Sequence, residues 1–185
     1  MKTNAKPEQL SANDWLDQGL KTLTQSGYTA LKAEPLAKAM GVSRGSFYWH
    51  FADVGAFHSA LLKRWREIST EQIIANLEQS KDREAPLNVL LRGAFSARLP
   101  VEVAVRSWAT VDPAARAAVR AIDKRRLSYI ENLLAAAGCP PDVARARAQI
   151  LYWAFLGFTL SDKPLPKQRQ SEFLDELVRM ANAPA

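Results

Sequence analysis

The stretch over residues 36–51, Leu-Ala-Lys-Ala-Met-Gly-Val-Ser-Arg-Gly-Ser-Phe-Tyr-Trp-His-Phe, most constrains what this chain can fold into. It reads as two short helices broken at Gly41. Leu36, Ala37 and Met40 give the first helix an apolar stripe, and Gly41 can take the left-handed backbone that ends a helix sharply. Ser43 is placed to cap the second helix, its hydroxyl accepting from an otherwise unpaired backbone N–H. That helix, residues 44–50, has only the pair Phe47 and Phe51, at i and i+4, to anchor it to a core. Its other face carries Arg44, Gly45, Ser46, Tyr48, Trp49 and His50, a dense set of hydrogen-bond donors. Two short helices about a glycine turn, the second basic and polar outside, describe a helix-turn-helix whose second helix enters a DNA major groove.

The run from Gly41 to Phe51 also resembles the signature of the tetracycline-repressor (TetR) family of bacterial regulators. Gly27-Tyr28 and Leu36-Ala37 fall upstream where that pattern expects them. The resemblance covers roughly residues 10–65. It implies an all-α fold with a three-helix DNA-binding head over residues 9–69, the helix-turn-helix at 32–51. A long helix would join the head to a helical body, residues 70–185, that binds a small molecule and dimerises. The implied partners are a double-stranded palindromic operator, a second copy of the chain and a small-molecule effector whose identity the resemblance leaves open. No cofactor and no membrane partner are implied.

By the same resemblance Tyr48 and His50 donate to phosphates, and Ser43 at the helix N-terminus can do so through its hydroxyl or its backbone N–H. From its place near the helix start Arg44 is the expected contact to a guanine edge or a phosphate, Gly45 allows close approach, Ser46 is a further DNA contact, and Trp49 packs on sugar or a thymine methyl. Three positions depart from the family pattern. Lys32 stands where Ser or Thr usually caps the first helix of the motif; it cannot cap, but its ammonium can reach the DNA backbone. Val54 stands where a lysine often meets a phosphate, and Gly19 where alanine is usual, which reads as close helix contact. A rival reading, a helical small-molecule-binding or interaction module whose head has lost DNA binding, is favoured by Lys32 and Val54.

Composition is compatible with this picture without selecting it. The 185 residues are 48% hydrophobic with a net charge of +6, a mild basic excess of the kind nucleic-acid binders carry. The excess is spread evenly: residues 1–69 hold nine Lys/Arg against six Asp/Glu, and the remainder sixteen against thirteen. A single cysteine, Cys139, rules out an internal disulfide and suits a reducing compartment. The N-terminus lacks the apolar core of a signal peptide, and the apolar run over residues 150–160 is shorter than the ~20 residues that span a bilayer. A cytoplasmic location is the expectation.

Residues 1–9 are polar and read as a frayed end. A helix is predicted from Ser11 or Asn13 to about Gln25, buried through Trp15, Leu16, Leu20 and Leu23 and stopped at Gly27. The motif's first helix follows over 32–40, then one long helix over 53–79 with Asp53 as its N-cap. After a polar break at 81–85, further helices are predicted over 86–97, 100–109, 112–138, 141–160 and 167–182, with starts signalled by Asp112-Pro113 and Pro140-Pro141. No alternating strand pattern interrupts them.

Catalysis is not indicated. Ser46 and His50 sit at i and i+4, but no carboxylate is spaced to orient the imidazole. Two histidines and one cysteine do not make a zinc site, and Cys139 in its proline-flanked turn reads as inert. In the body, Phe95, Trp108, Tyr129, Trp153, Tyr152, Phe155 and Phe158 are the candidate apolar contacts to an effector, with Arg92, Arg106 or Thr110 as polar handles. Glu102 and Arg106 at i and i+4 read as a helix ion pair. The run over 150–160 is apolar on nearly every side and needs two partners. One face would pack on the body. The other, through Ile150, Ala154, Gly157 and Phe158 with Phe173, Leu174 and Leu177 of the last helix, would meet a second copy of the chain.

Overall fold

The computed structural model describes residues 10–80, 85–96, 99–162 and 165–184. The expectations for residues 1–9 and 81–84 lie outside the described residues. The regular structure of the described residues is all helix, with no strand among them. The helices are α1 (Ala12–Ser26), α2 (Ala33–Ala39), α3 (Arg44–Tyr48), α4 (Val54–Arg66), α5 (Gln72–Gln79), α6 (Pro86–Ala94), α7 (Pro100–Ala109), α8 (Pro113–Ala136), α9 (Pro141–Leu160) and α10 (Lys167–Asn182). Contacts divide the chain into two compact units, Met1–Trp65 and Arg66–Ala185.

In the first unit, α1 begins at a reciprocal cap. The Ser11 hydroxyl accepts from Asp14 N at 3.3 Å, while the Asp14 carboxylate accepts from Ser11 N at 2.7 Å. These bonds from Ser11 hold the Asp14 carboxyl below the usual carboxylate range. The predicted stripe Trp15, Leu16, Leu20 and Leu23 is buried, and Gly19 with it. A Cβ at Gly19 would lie 2.6 Å from Phe57 Cζ and 2.9 Å from Leu61 Cδ1. The residue is therefore a close-packing site between α1 and α4, as its departure from the family pattern suggested.

The turn between α2 and α3 follows from one residue. Gly41 has φ +68°, which lets Val42 N–H reach back to Ala37 O at 3.0 Å and Gly41 N–H to Lys38 O at 3.2 Å. That pair of bonds is the Schellman closure. Lys32 occupies the N-cap of α2 without a side-chain bond, as expected. Ser43 does not behave as expected: it sits at the N-cap of α3 in an extended backbone, but its hydroxyl makes no cap bond. The helix is a turn and a half long and ends at Tyr48, short of the predicted His50, so tertiary packing, not capping, holds it. Asp53 caps α4 as predicted, accepting from Ala56 N at 2.7 Å.

The second unit departs from the sequence reading at its start. The predicted single helix over 53–79 is three successive segments, because Glu67–Glu71 takes π-helical geometry in which Gln72 N–H bonds Glu67 O. Beyond it α8 packs along α7 and α9, and α10 packs against α6 and α9. The core is built from Leu87, Leu91, Phe95, Leu134, Ala148, Leu151 and Phe155, closed by Leu177 and Ala181. Helices α7, α9 and α10 occupy the predicted ranges, whereas α6 stops at Ala94, with Phe95 at its C-cap. Asp112 caps α8 through Ala115 N at 2.7 Å. No helix among the described residues is long and apolar enough to cross a membrane.

Candidate nucleic-acid interface and effector cavity

Helix α3 is held from behind by rings. Phe47 is fully buried and meets Trp15, Phe51 and Phe57 at centroid distances of 5.4, 5.2 and 5.3 Å. The edge-to-face pairs with Trp15 and Phe57 are favoured beyond their buried area, and together the rings fix the rotation of a helix too short to be stable alone. The opposite face is open. Arg44, Gly45 and Tyr48 are exposed, Ser46 and His50 are half-buried, and Trp49 is 86% exposed. Arg44 Nη2 donates to Tyr48 Oη at 3.3 Å, and its guanidinium lies 5.6 Å from the ring centroid. The phenol oxygen raises the Arg44 pKa above the ordinary arginine value.

A shallow hollow of about 660 Å³ opens beside Arg44 and Tyr48, with Lys32, Glu34 and Lys38 of the α2 segment and Val54 on its rim. Three cations against one carboxylate make it a basic surface, suited to a phosphate backbone. The hollow unites Lys32, Arg44 and Tyr48. It also adds Lys38, which the sequence reading passed over because its spacing in α2 says nothing about which neighbour it faces.

In the second unit a cavity of about 100 Å³ lies among α5, α6, α8 and α9, and it takes in Phe95, Tyr129, Tyr152 and Phe155. Of the predicted effector contacts Phe95, Tyr129, Tyr152 and Phe155 line it. Trp108 is buried in the core away from it, Arg92 is half-exposed and paired with Asp175, and Trp153 is 64% exposed. Arg106 also lies off the cavity. The expected Glu102–Arg106 helix pair is real at 2.8 Å but is part of a larger array. Arg106 binds both carboxylate oxygens of Asp123 at 2.5 and 3.3 Å and donates to Tyr152 Oη at 3.0 Å. Tyr152 Oη in turn donates to Asp123 at 2.5 Å.

Arg126, missed by the sequence reading, reaches the cavity wall. Its Nη1 and Nη2 grip the two Glu102 oxygens at 2.9 and 3.0 Å, while Nε donates to Thr70 Oγ1 at 2.9 Å and Nη2 to Ser69 O at 3.2 Å. Glu102 is only 2% exposed, which a carboxylate tolerates when paired and hydrogen-bonded this fully. Burial opposes the charge on Arg126, but its bonds to Glu102 and that residue's charge outweigh it and raise its pKa. Burial and the hydrogen bond to Asp123 push the Tyr152 phenol up to about 12.

The predicted dimer residues separate into two sets. Ile150 and Gly157 are exposed on α9 beside Trp153 and Leu160, with Ala154 partly exposed. Leu177 is 6% exposed inside its own core, and Leu174 packs against that core. Phe158 and Phe173 pack against the Phe95 ring at centroid distances of 5.2 and 5.5 Å, tilted and edge-on. These four were expected on the outer face. The 3.6-residue period could not separate the two sides of a helix that is apolar all round.

Residues 16–53 match the family model of bacterial regulatory proteins of the tetR family. The chain is 40% identical over 78 residues to the HTH-type transcriptional regulator AcrR of Shigella flexneri, a match covering 40% of this chain and 34% of that protein. The chain thus spans about a third of that relative's length. Whole-chain similarity is to solved structures. The reduced form of NemR from E. coli aligns over 92% of this chain and 94% of its own, with TM-score 0.73 and 20% identity. AibR in complex with isovaleryl coenzyme A and operator DNA aligns over 91% and 96%, with TM-score 0.65 and 18% identity. Residues 16–53 thus carry the helix-turn-helix head that the tetR-family model describes, and the chain as a whole shares the fold of these solved structures.

Proposed function

We propose that this chain is a sequence-specific transcriptional regulator, a repressor that binds a palindromic operator as a homodimer and releases it when a small molecule enters the helical body. Residues 9–69 would bind DNA and 70–185 would bind effector and dimerise. The observation that carries the reading is the α3 face, where Arg44, Tyr48 and an 86% exposed Trp49 stand on a helix locked from behind by Phe47. So much exposed aromatic surface beside a cation has a partner to meet.

Arg44 reads a base edge, where a bidentate arginine–guanine pair contributes ~1–3 kcal/mol of discrimination. Lys32, Ser43, Tyr48 and His50 bind phosphate, joined by Lys38. Gly45 and Ser46 let the helix sit deep, and Trp49 packs on sugar or a thymine methyl. Two copies would place their α3 helices one helical turn of DNA apart, roughly 34–36 Å. The bound operator named for AibR supports the assignment to DNA. The exposed stripe Ile150, Trp153, Gly157 and Leu160 supports a dimer through α9. An effector releases DNA only by binding the released state more tightly than the bound one.

The test is selection of bound duplexes from a random pool, with Arg44→Ala in parallel. The expected result is an enriched palindrome that the variant no longer selects, and an affinity that falls steeply with salt. A folded protein that enriches nothing at low salt would overturn the reading.

A further inference from the structure

The cavity in the helical body has walls that restrict what it can hold. We infer that it takes a small, uncharged, largely apolar molecule of about one aromatic ring, and that it rejects carboxylates and ammonium ions. The inference rests on the reading of residues 70–185 as the effector-binding part. Size comes first: the space is about 100 Å³, smaller than the apolar cavity of about 150 Å³ that accommodates benzene, so a single ring is the upper limit of what it admits. The walls are chiefly hydrocarbon, contributed by Ile74, Leu91, Ile130, Leu151 and Phe155.

Charge decides the rest. Arg126 is the one charged side chain among the described residues of the wall. It is not available to an anion, because it already donates four hydrogen bonds, two of them to Glu102. Behind it Arg106 is matched by Glu102 and Asp123, so two cations face two carboxylates and the array is neutral. A ligand carboxylate would have to displace Glu102, leaving that buried group without its partner. An ammonium would find no carboxylate in the wall. A neutral hydroxyl or carbonyl can still be met by the Thr70 hydroxyl or the Tyr129 phenol, which line the space.

Three probes that share one ring test this on the full chain: benzyl alcohol, benzoate and benzylammonium, followed by calorimetry and thermal unfolding. Benzyl alcohol is expected to bind saturably and raise the melting temperature, with Kd at least tenfold below that of either ion. Equal or tighter binding of an ion, or no binding by any probe, overturns the inference. Ala94→Phe, which projects a ring into the space, is expected to weaken benzyl alcohol at least tenfold. If that variant is folded and binds as wild type does, the site is wrong. E102Q is a second test: removing the counter-charge of Arg126 is expected to shift preference toward benzoate, and an unshifted preference overturns the charge argument. Operator release separates this inference from the reading beneath it. Benzyl alcohol that fills the cavity without loosening DNA upholds the ligand class and removes the effector role. Release by benzoate, with benzyl alcohol inert, does the opposite.

Discussion

Gly45 shows how a single position can separate folding from function. A Cβ there would lie 3.7 Å from Ser43 Oγ, an ordinary contact with nothing closer. Nothing among the described residues therefore requires glycine, and Gly45→Ala should stabilise α3 by about 0.5–1 kcal/mol through the lost backbone entropy of the unfolded state. If the helix sits deep in a groove, the same methyl weakens operator binding, by tenfold or more. A thermal melt and a DNA titration on one variant check both halves; stability gained with affinity unchanged would mean α3 approaches DNA through other residues. The exposure of Arg44 and Tyr48 was legible from the sequence because the motif is local. Ser43 was legible as an N-cap position but not as a hydroxyl left free of the helix, since a cap bond depends on a side-chain rotamer that residue type does not dictate.

At the scale of the element, the array joining α7, α8 and α9 carries the least obvious consequence. The Tyr152 phenol titrates at about 12 in the folded chain, against about 10 in an unfolded one. The unfolded chain therefore loses this proton first as pH rises, and stability falls from about pH 10 to about pH 12, by about 2–3 kcal/mol in total. Tyr152→Phe should be less stable at neutral pH, where its hydroxyl no longer reaches Asp123, and should lose less between pH 9 and 11.5. Urea unfolding of both proteins at those two values measures the difference, and parallel pH profiles would refute the assignment. The π-helical turn belongs to the same scale. Ser69 and Thr70, which it presents, are the groups that Arg126 binds. The helical period over 53–79 gave no sign of it, because the arginine that uses the turn lies more than fifty residues further along the chain.

For the molecule as a whole, the exposed side of α9 is where assembly can be tested. Phe158 turns inward onto Phe95, so a charge there would damage the core and confuse folding with association. Ile150 is 50% exposed and Gly157 has nothing within 4 Å of a built Cβ, which makes the outer face of α9 the place to probe. Ile150→Glu is expected to sediment as a monomer with its fold intact and to lose operator affinity with the second half-site. A persistent dimer would move the interface elsewhere.

The sequence alone determined the all-α class, nearly every helix start, the glycine turn at Gly41 and the exposed α3 face. Each of these rests on interactions within a few residues: caps, prolines, a left-handed glycine and a short apolar stripe. Tertiary structure decided which apolar side of α9 faces the core, where the long helix yields to a π turn, and that Glu102, Arg106, Asp123, Arg126 and Tyr152 form one neutral array. Those outcomes depend on which side chains meet across separate helices, and spacing along one helix carries no record of the partner on another.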